Sequence, residues 1–110
     1  MSKSMFEYLQ KMITEINYIV NNHQGIVATL EDREGKPAVL MCLLQIGETL
    51  NKIDVKKHPK LREAQQGAYS VRNFIAHDYE GVNMALIENI VRNLLPELNT
   101  IIADYKNNIN

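Results

Sequence analysis

Apolar positions recur along this chain at alternating steps of three and four. Met5, Leu9, Met12, Ile16 and Ile19 form one such stripe, which predicts a first amphipathic helix. The segment "NNHQG" ends it, with Gly25 placed to act as the C-terminal stop and His23 to meet the last carbonyls. "IVATLED" predicts one or two helical turns, closed by "REGKP", and Pro37 suits the first turn of a new helix. That helix carries Val39, Leu43, Ile46, Leu50 and Ile53. "DVKKHPK" breaks the pattern, because the residue before Pro59 is pushed away from helical geometry, and His58 is expected to be exposed there. A further stripe follows at Leu61, Ala64, Ala68, Val71 and Ile75, with a second break at Gly81. A last long helix is predicted over Val82 to Tyr105, with Ile87, Ile90, Leu94, Leu98, Ile101 and Tyr105 inward and a kink at Pro96. The tail "KNNIN" is expected to fray. No strand-like alternation competes. The fold expected is therefore all-α: an antiparallel bundle of four principal helices plus a short helical segment.

Composition changes this picture little. A length of 110 residues corresponds to one domain, 1–110, able to form a single core. Cys42 is the one cysteine and lies in the apolar run "AVLMCLL", where it reads as a small buried hydrophobe. The opening "MSKSMFEYLQ" holds no apolar signal segment, and no run approaches the ~20 residues of a membrane helix, so a cytoplasmic protein without membrane contact is expected. The net charge is −1, which removes any global electrostatic case for nucleic-acid binding and leaves only local patches. Three scattered histidines and one cysteine give no metal-ligand spacing, and no glycine-rich phosphate loop is present, so no metal or cofactor is expected.

The candidate chemistry lies in "SVRNFIAHDYEGV", residues 70–82. At about 100° per residue, Asn73 and His77 share a face nearly opposite the Leu61–Ile75 stripe, while Arg72 and Tyr79 lie along a common edge. Such polar rows are usually a solvated face. Phe74 argues against that reading, since a lone bundle would leave it exposed. So does the residue set, because arginine, histidine and an amide suit phosphate better than they serve solubility. Arg72 and His77 stand about 140° apart round the helix, too far to grip one small target together. A two-fold axis through this face would let each Arg72 meet the partner's residues, making a composite site at a dimer seam. On the preceding helix, Glu48 falls opposite the core stripe, either solvated or facing the seam. Gly47 beside it costs roughly 1 kcal/mol in a helix and suggests the close approach of another backbone.

Arg72, four residues, His77, one residue and Tyr79 make an R-x4-H-x-Y pattern, with Asn73 directly after the arginine. Together with "LQIGETLNKI" on the preceding helix, it resembles the HepT-like branch of the HEPN (higher eukaryotes and prokaryotes nucleotide-binding) superfamily. The resemblance covers most of the chain. It implies a helical bundle that forms a homodimer and acts as the toxin of a toxin–antitoxin pair, cleaving RNA without a metal. It also implies a minimal nucleotidyltransferase antitoxin as partner, which would transfer AMP to Tyr79.

The residue types suit that chemistry. His77 can act as acid or base near neutral pH, and Arg72 stays protonated and can hold phosphate oxygens through paired donors. Asn73, one turn before His77, can position the imidazole or the phosphate. Tyr79 reads either as a ring packed at the bundle edge or as the AMP acceptor. Lys56, Lys57 and Lys60, before the motif helix, read as a solvated connector or as RNA-phosphate contacts. A different class of function stays open beside the ribonuclease: a non-catalytic helical module, a nucleotide-binding or adaptor partner of a nucleotidyltransferase.

Overall fold

In the first helix, α1 (Lys3–Asn22), the core face is the stripe Phe6, Leu9, Ile13 and Ile16. The computed structural model describes residues 3–77 and 83–108, the side chains of residues 76 and 77 excepted. The stripe is rotated from the expected one, with Met5, Met12 and Ile19 half-buried on its flanks. Two adjacent apolar rows compete in this sequence, and the row holding the aromatic Phe6 is the one that packs.

Termination of α1 also differs from expectation. The amide of Gly25 donates to the carbonyl of Val20 at 3.0 Å and that of Gln24 to Asn21 at 3.4 Å, the paired bonds of a Schellman cap. The left-handed residue is Gln24, φ 64°, rather than glycine. Gly25 follows at φ 117° and ψ 167°, a conformation nearly closed to other residues, and starts α2 (Ile26–Glu31). His23 meets the helix end as expected, with Nδ1 2.7 Å from the Ile19 carbonyl.

Asp32 begins the third helix, α3 (Gly35–Asn51). Its Oδ2 accepts from the amides of Gly35 at 2.8 Å and Glu34 at 2.9 Å. Those two bonds, with His23 nearby, hold its carboxyl below the ordinary carboxylate range. Pro37 sits in the first turn. Val39, Leu43, Ile46, Leu50 and, just beyond the helix, Ile53 are all buried. Cys42 is buried too, and burial pushes its thiol pKa up.

A 3-10 turn at Pro59–Leu61 leads into α4 (Arg62–His77). Gln65 Nε2 donates to the carbonyls of Leu50 at 2.7 Å and Ile53 at 2.9 Å, tying α4 to the C-terminal end of α3. Leu61, Val71 and Ile75 are buried, with Ala64 and Ala68 packed against the core beside them. The predicted break at Gly81 and the helix start at Val82 lie outside the described residues.

Asn83 caps α5 (Met84–Asn89), its side chain accepting from the Leu86 amide at 3.2 Å. A π turn, Ile90–Leu94, joins α5 to α6 (Leu95–Asn107). Pro96 lies just past this turn. Its ring cannot fit behind an ordinary helical carbonyl, and the wider π turn is the local form the disruption takes. One extra residue in the turn slips the core register. Leu95 and Ile102 are buried, whereas Leu94, expected inward, is 47 % exposed.

Among the described residues there are four principal helices, counting α5–α6 as one, and the short α2. The fold is the all-α bundle that the sequence predicts. α1 packs against α3 and α6, and α3 packs against α4. An apolar cleft of about 320 Å³ runs between α4 and the α5–α6 arm, lined by Phe74 and Leu94 and, from α3, by Ile46 and Leu50.

His58 is not exposed as expected. It is lodged against the ring of Phe6, with centroids 5.4 Å apart, and that of Tyr105 at 4.8 Å, both nearly edge-on. Its Nδ1 is buried with no hydrogen-bond partner among the described residues. Burial lowers the imidazole pKa, with Lys57 adding to the shift and Asp54 opposing it. The fold therefore favours the neutral form. An unfolded chain protonates His58 near its ordinary pKa of about 6.5 and the folded chain only at lower pH, so stability is full above about 6.5 and falls as pH drops below it. The fall in urea midpoint between about pH 7.5 and about pH 5 should be larger for wild type than for His58→Phe. Equal falls would show that His58 does not carry the acid sensitivity.

Candidate active site

Residues 62–77 form one continuous helix, so the arginine, asparagine and histidine of the sequence pattern share a rigid support. Arg72 stands on the edge of α4 that faces α3. A Cβ added to Gly47 would lie 3.1 Å from the Ala68 carbonyl oxygen and 3.4 Å from Cβ of Arg72. The absent side chain is thus what lets the two helices approach at this level, as the sequence suggests.

The neighbour of Gly47 completes the contact. Glu48 Oε1 accepts a hydrogen bond from Nε–H of Arg72, making an ion pair across the α3–α4 seam. Helix phase alone predicts solvent or a dimer seam for Glu48; the structure gives it the candidate catalytic arginine instead. Sequence reasoning misses the pair because phase does not show which edge of α3 meets α4. The available signal is Gly47, a mark of close approach directly beside a carboxylate.

Both partners keep access to water, with 34 % of the Arg72 side chain and 45 % of Glu48 exposed. Asn73 is half-buried, and Phe74 is 56 % exposed, as the helical phase predicts. The side chain of His77 and the whole of Tyr79 lie outside the described residues. Among the described residues no three His, Cys, Asp or Glu side chains cluster as a metal site would require. Nor is any helix among them long and apolar enough to cross a membrane.

Residues 9–104 match the family described as HepT-like, "Ribonuclease HepT-like". The chain belongs to this family. No curated protein and no solved structure matched it. The match spans α2 to α5 in full and most of α1 and α6, so it covers most of the bundle and not the motif helix alone.

Within this HepT-like bundle the lysines sit apart from the motif. Lys60 precedes Arg72 by twelve residues, about 18 Å along a helix. Lys56 and Lys57 are exposed in the connecting loop, and Lys60 Nζ pairs with Asp104 at 3.3 Å. The structure therefore places these three at the opposite end of α4 from Arg72, Asn73 and His77.

Proposed function

We propose that this protein is the toxin of a toxin–antitoxin pair, a metal-independent endoribonuclease whose site is Arg72, Asn73 and His77, completed at a homodimer seam. The family match over residues 9–104 carries the reading. The placement of Arg72 on a half-open helix edge supports it, and exposed Phe74 beside the apolar cleft supports the seam.

Cleavage of RNA without a metal deprotonates the ribose 2′-hydroxyl, protonates the 5′-oxygen that leaves, and stabilises charge on the phosphate oxygens between. His77 serves the proton transfers, because imidazole titrates near neutral pH. Arg72 holds the phosphate oxygens through paired donors, and Asn73 steadies imidazole or phosphate. Lys56, Lys57 and Lys60, at the far end of α4, serve as RNA-phosphate contacts outside the cleavage site. A minimal nucleotidyltransferase is the antitoxin, and AMP transferred to Tyr79 adds a bulky anion that masks Arg72.

Two measurements test this. Purified protein, with Tyr79 shown by mass to be unmodified, should cleave labelled RNA in EDTA and leave 2′,3′-cyclic phosphate ends. Absence of cleavage across several RNAs would favour the adaptor reading, in which the motif only holds a ligand or an interface. Co-expression with the nucleotidyltransferase should add AMP mass to wild type and none to Tyr79→Phe; a gain that survives the substitution would remove Tyr79 as the acceptor.

A further inference from the structure

We propose that Glu48 is a positioning residue for Arg72, setting the guanidinium so that its two Nη groups face the phosphate of the RNA being cleaved. The inference rests on the ribonuclease reading of Arg72 given above.

The geometry gives three reasons. First, Glu48 engages the Nε–H of Arg72 through a single oxygen. A guanidinium offers five donors on two usable edges. A carboxylate at Nε fixes the plane and rotation of the group while leaving the Nη edge, the one that matches two phosphate oxygens, for a ligand. Second, the support is rigid. Glu48 and Arg72 both stand on helices, and Gly47 and Gln65 hold α3 and α4 at close, fixed spacing. Third, a partly exposed ion pair adds little to folding, so stability alone is a weak account of a carboxylate beside this arginine.

Charge and position make opposite forecasts for this residue. A carboxylate beside Arg72 weakens the local positive potential, so by charge alone its removal would tighten RNA binding. If its role is to orient, removal lets the guanidinium swing and lowers turnover, because a displacement of about 1 Å can cost on the order of a hundredfold. Glutamine keeps the acceptor oxygen without the charge and therefore separates the two.

The test compares wild type, Glu48→Ala and Glu48→Gln as full chains. For Glu48→Ala, kcat should fall roughly 10- to 100-fold with the melting temperature nearly unchanged. Glu48→Gln should recover most of the loss. The Nε–H signal of Arg72 in proton–nitrogen NMR, assigned by its disappearance in Arg72→Lys, should exchange slowly with water in wild type and Glu48→Gln and quickly in Glu48→Ala. An unchanged signal in Glu48→Ala overturns the proposal whatever the activity. Equal kcat in all three proteins overturns it as well. If wild type cleaves no RNA, the ribonuclease reading fails by itself. The positioning role is then decided by anisotropy with a short fluorescent RNA: weaker binding by Glu48→Ala than by Glu48→Gln supports it, and tighter or equal binding overturns it.

Discussion

Replacing His77 by alanine should lower RNA cleavage in EDTA by about two to four orders of magnitude, the range typical of losing a positioned general acid–base. Both ends of the reaction need a proton moved, and no other residue of the motif titrates near pH 7. A guanidinium does not give up its proton in proteins, and an amide cannot exchange one as acid or base. By ideal helical phase, position 77 lies nearly opposite the packed α4 stripe of Val71 and Ile75, so truncation there should leave that stripe intact. Loss of activity should therefore come with an unchanged melting curve. A variant that cleaves within about threefold of wild type, on the scale set by general acid–base catalysis, would sink the assignment.

The same variant tests whether the site is shared between copies. His77→Ala and Arg72→Ala proteins, each inactive alone, can be mixed under conditions that exchange subunits. If Arg72 of one copy works with His77 of its partner, each mixed dimer regains one intact pair and loses the other. Random exchange then restores about a quarter of the wild-type sites. If both residues act within one chain, mixing restores nothing. The angular argument favours recovery, because Arg72 and His77 stand about 140° apart on an ideal helix. Phe74 adds to it, as an exposed aromatic on the face that a second copy would cover.

Helix order, the phase of α3 and the motif's support are legible in the sequence because each depends on local periodicity. The α3 stripe of Val39, Leu43, Ile46, Leu50 and Ile53 is buried as read. What cannot be read depends on which surfaces meet. Met12 and Ile13 are both apolar, and only packing chooses Ile13. Leu94 and Leu95 are adjacent leucines, and the π turn upstream of Pro96 decides which faces inward. A proline announces that a helix is disturbed without saying whether it bends or gains a residue. His58 is misplaced by the sequence for the opposite reason: the rule that loop residues before proline are exposed is local, and two rings distant in sequence override it. At the candidate site the motif residues are found by pattern. The Glu48–Arg72 pair, 24 residues apart, belongs to the tertiary structure.

Phe6→Ala should cost about 3–5 kcal/mol of folding stability, the range for removing a buried phenyl ring. Phe6 is fully buried, stacks on Tyr105 with centroids 5.8 Å apart, and presents its ring to His58. The cost thus exceeds transfer of one side chain, since the cavity loosens both neighbouring rings. Tyr105 in turn accepts from the Lys60 amide at 3.2 Å, so the connection into α4 feels the change. Against a total of about 5–15 kcal/mol this is a large fraction, and the urea midpoint should fall steeply with little change in slope. Phe6→Leu refills much of the space and should cost about half as much or less. A second consequence follows from the same packing. Once the ring is gone, water reaches His58 Nδ1 and the desolvation that keeps the imidazole neutral is relieved. The extra acid sensitivity of wild type over His58→Phe should then shrink in the Phe6→Ala background. A Phe6→Ala loss below about 1 kcal/mol would mean that α1 is not anchored through this ring. A large loss with undiminished acid sensitivity would keep the anchor and place the acid-labile group elsewhere.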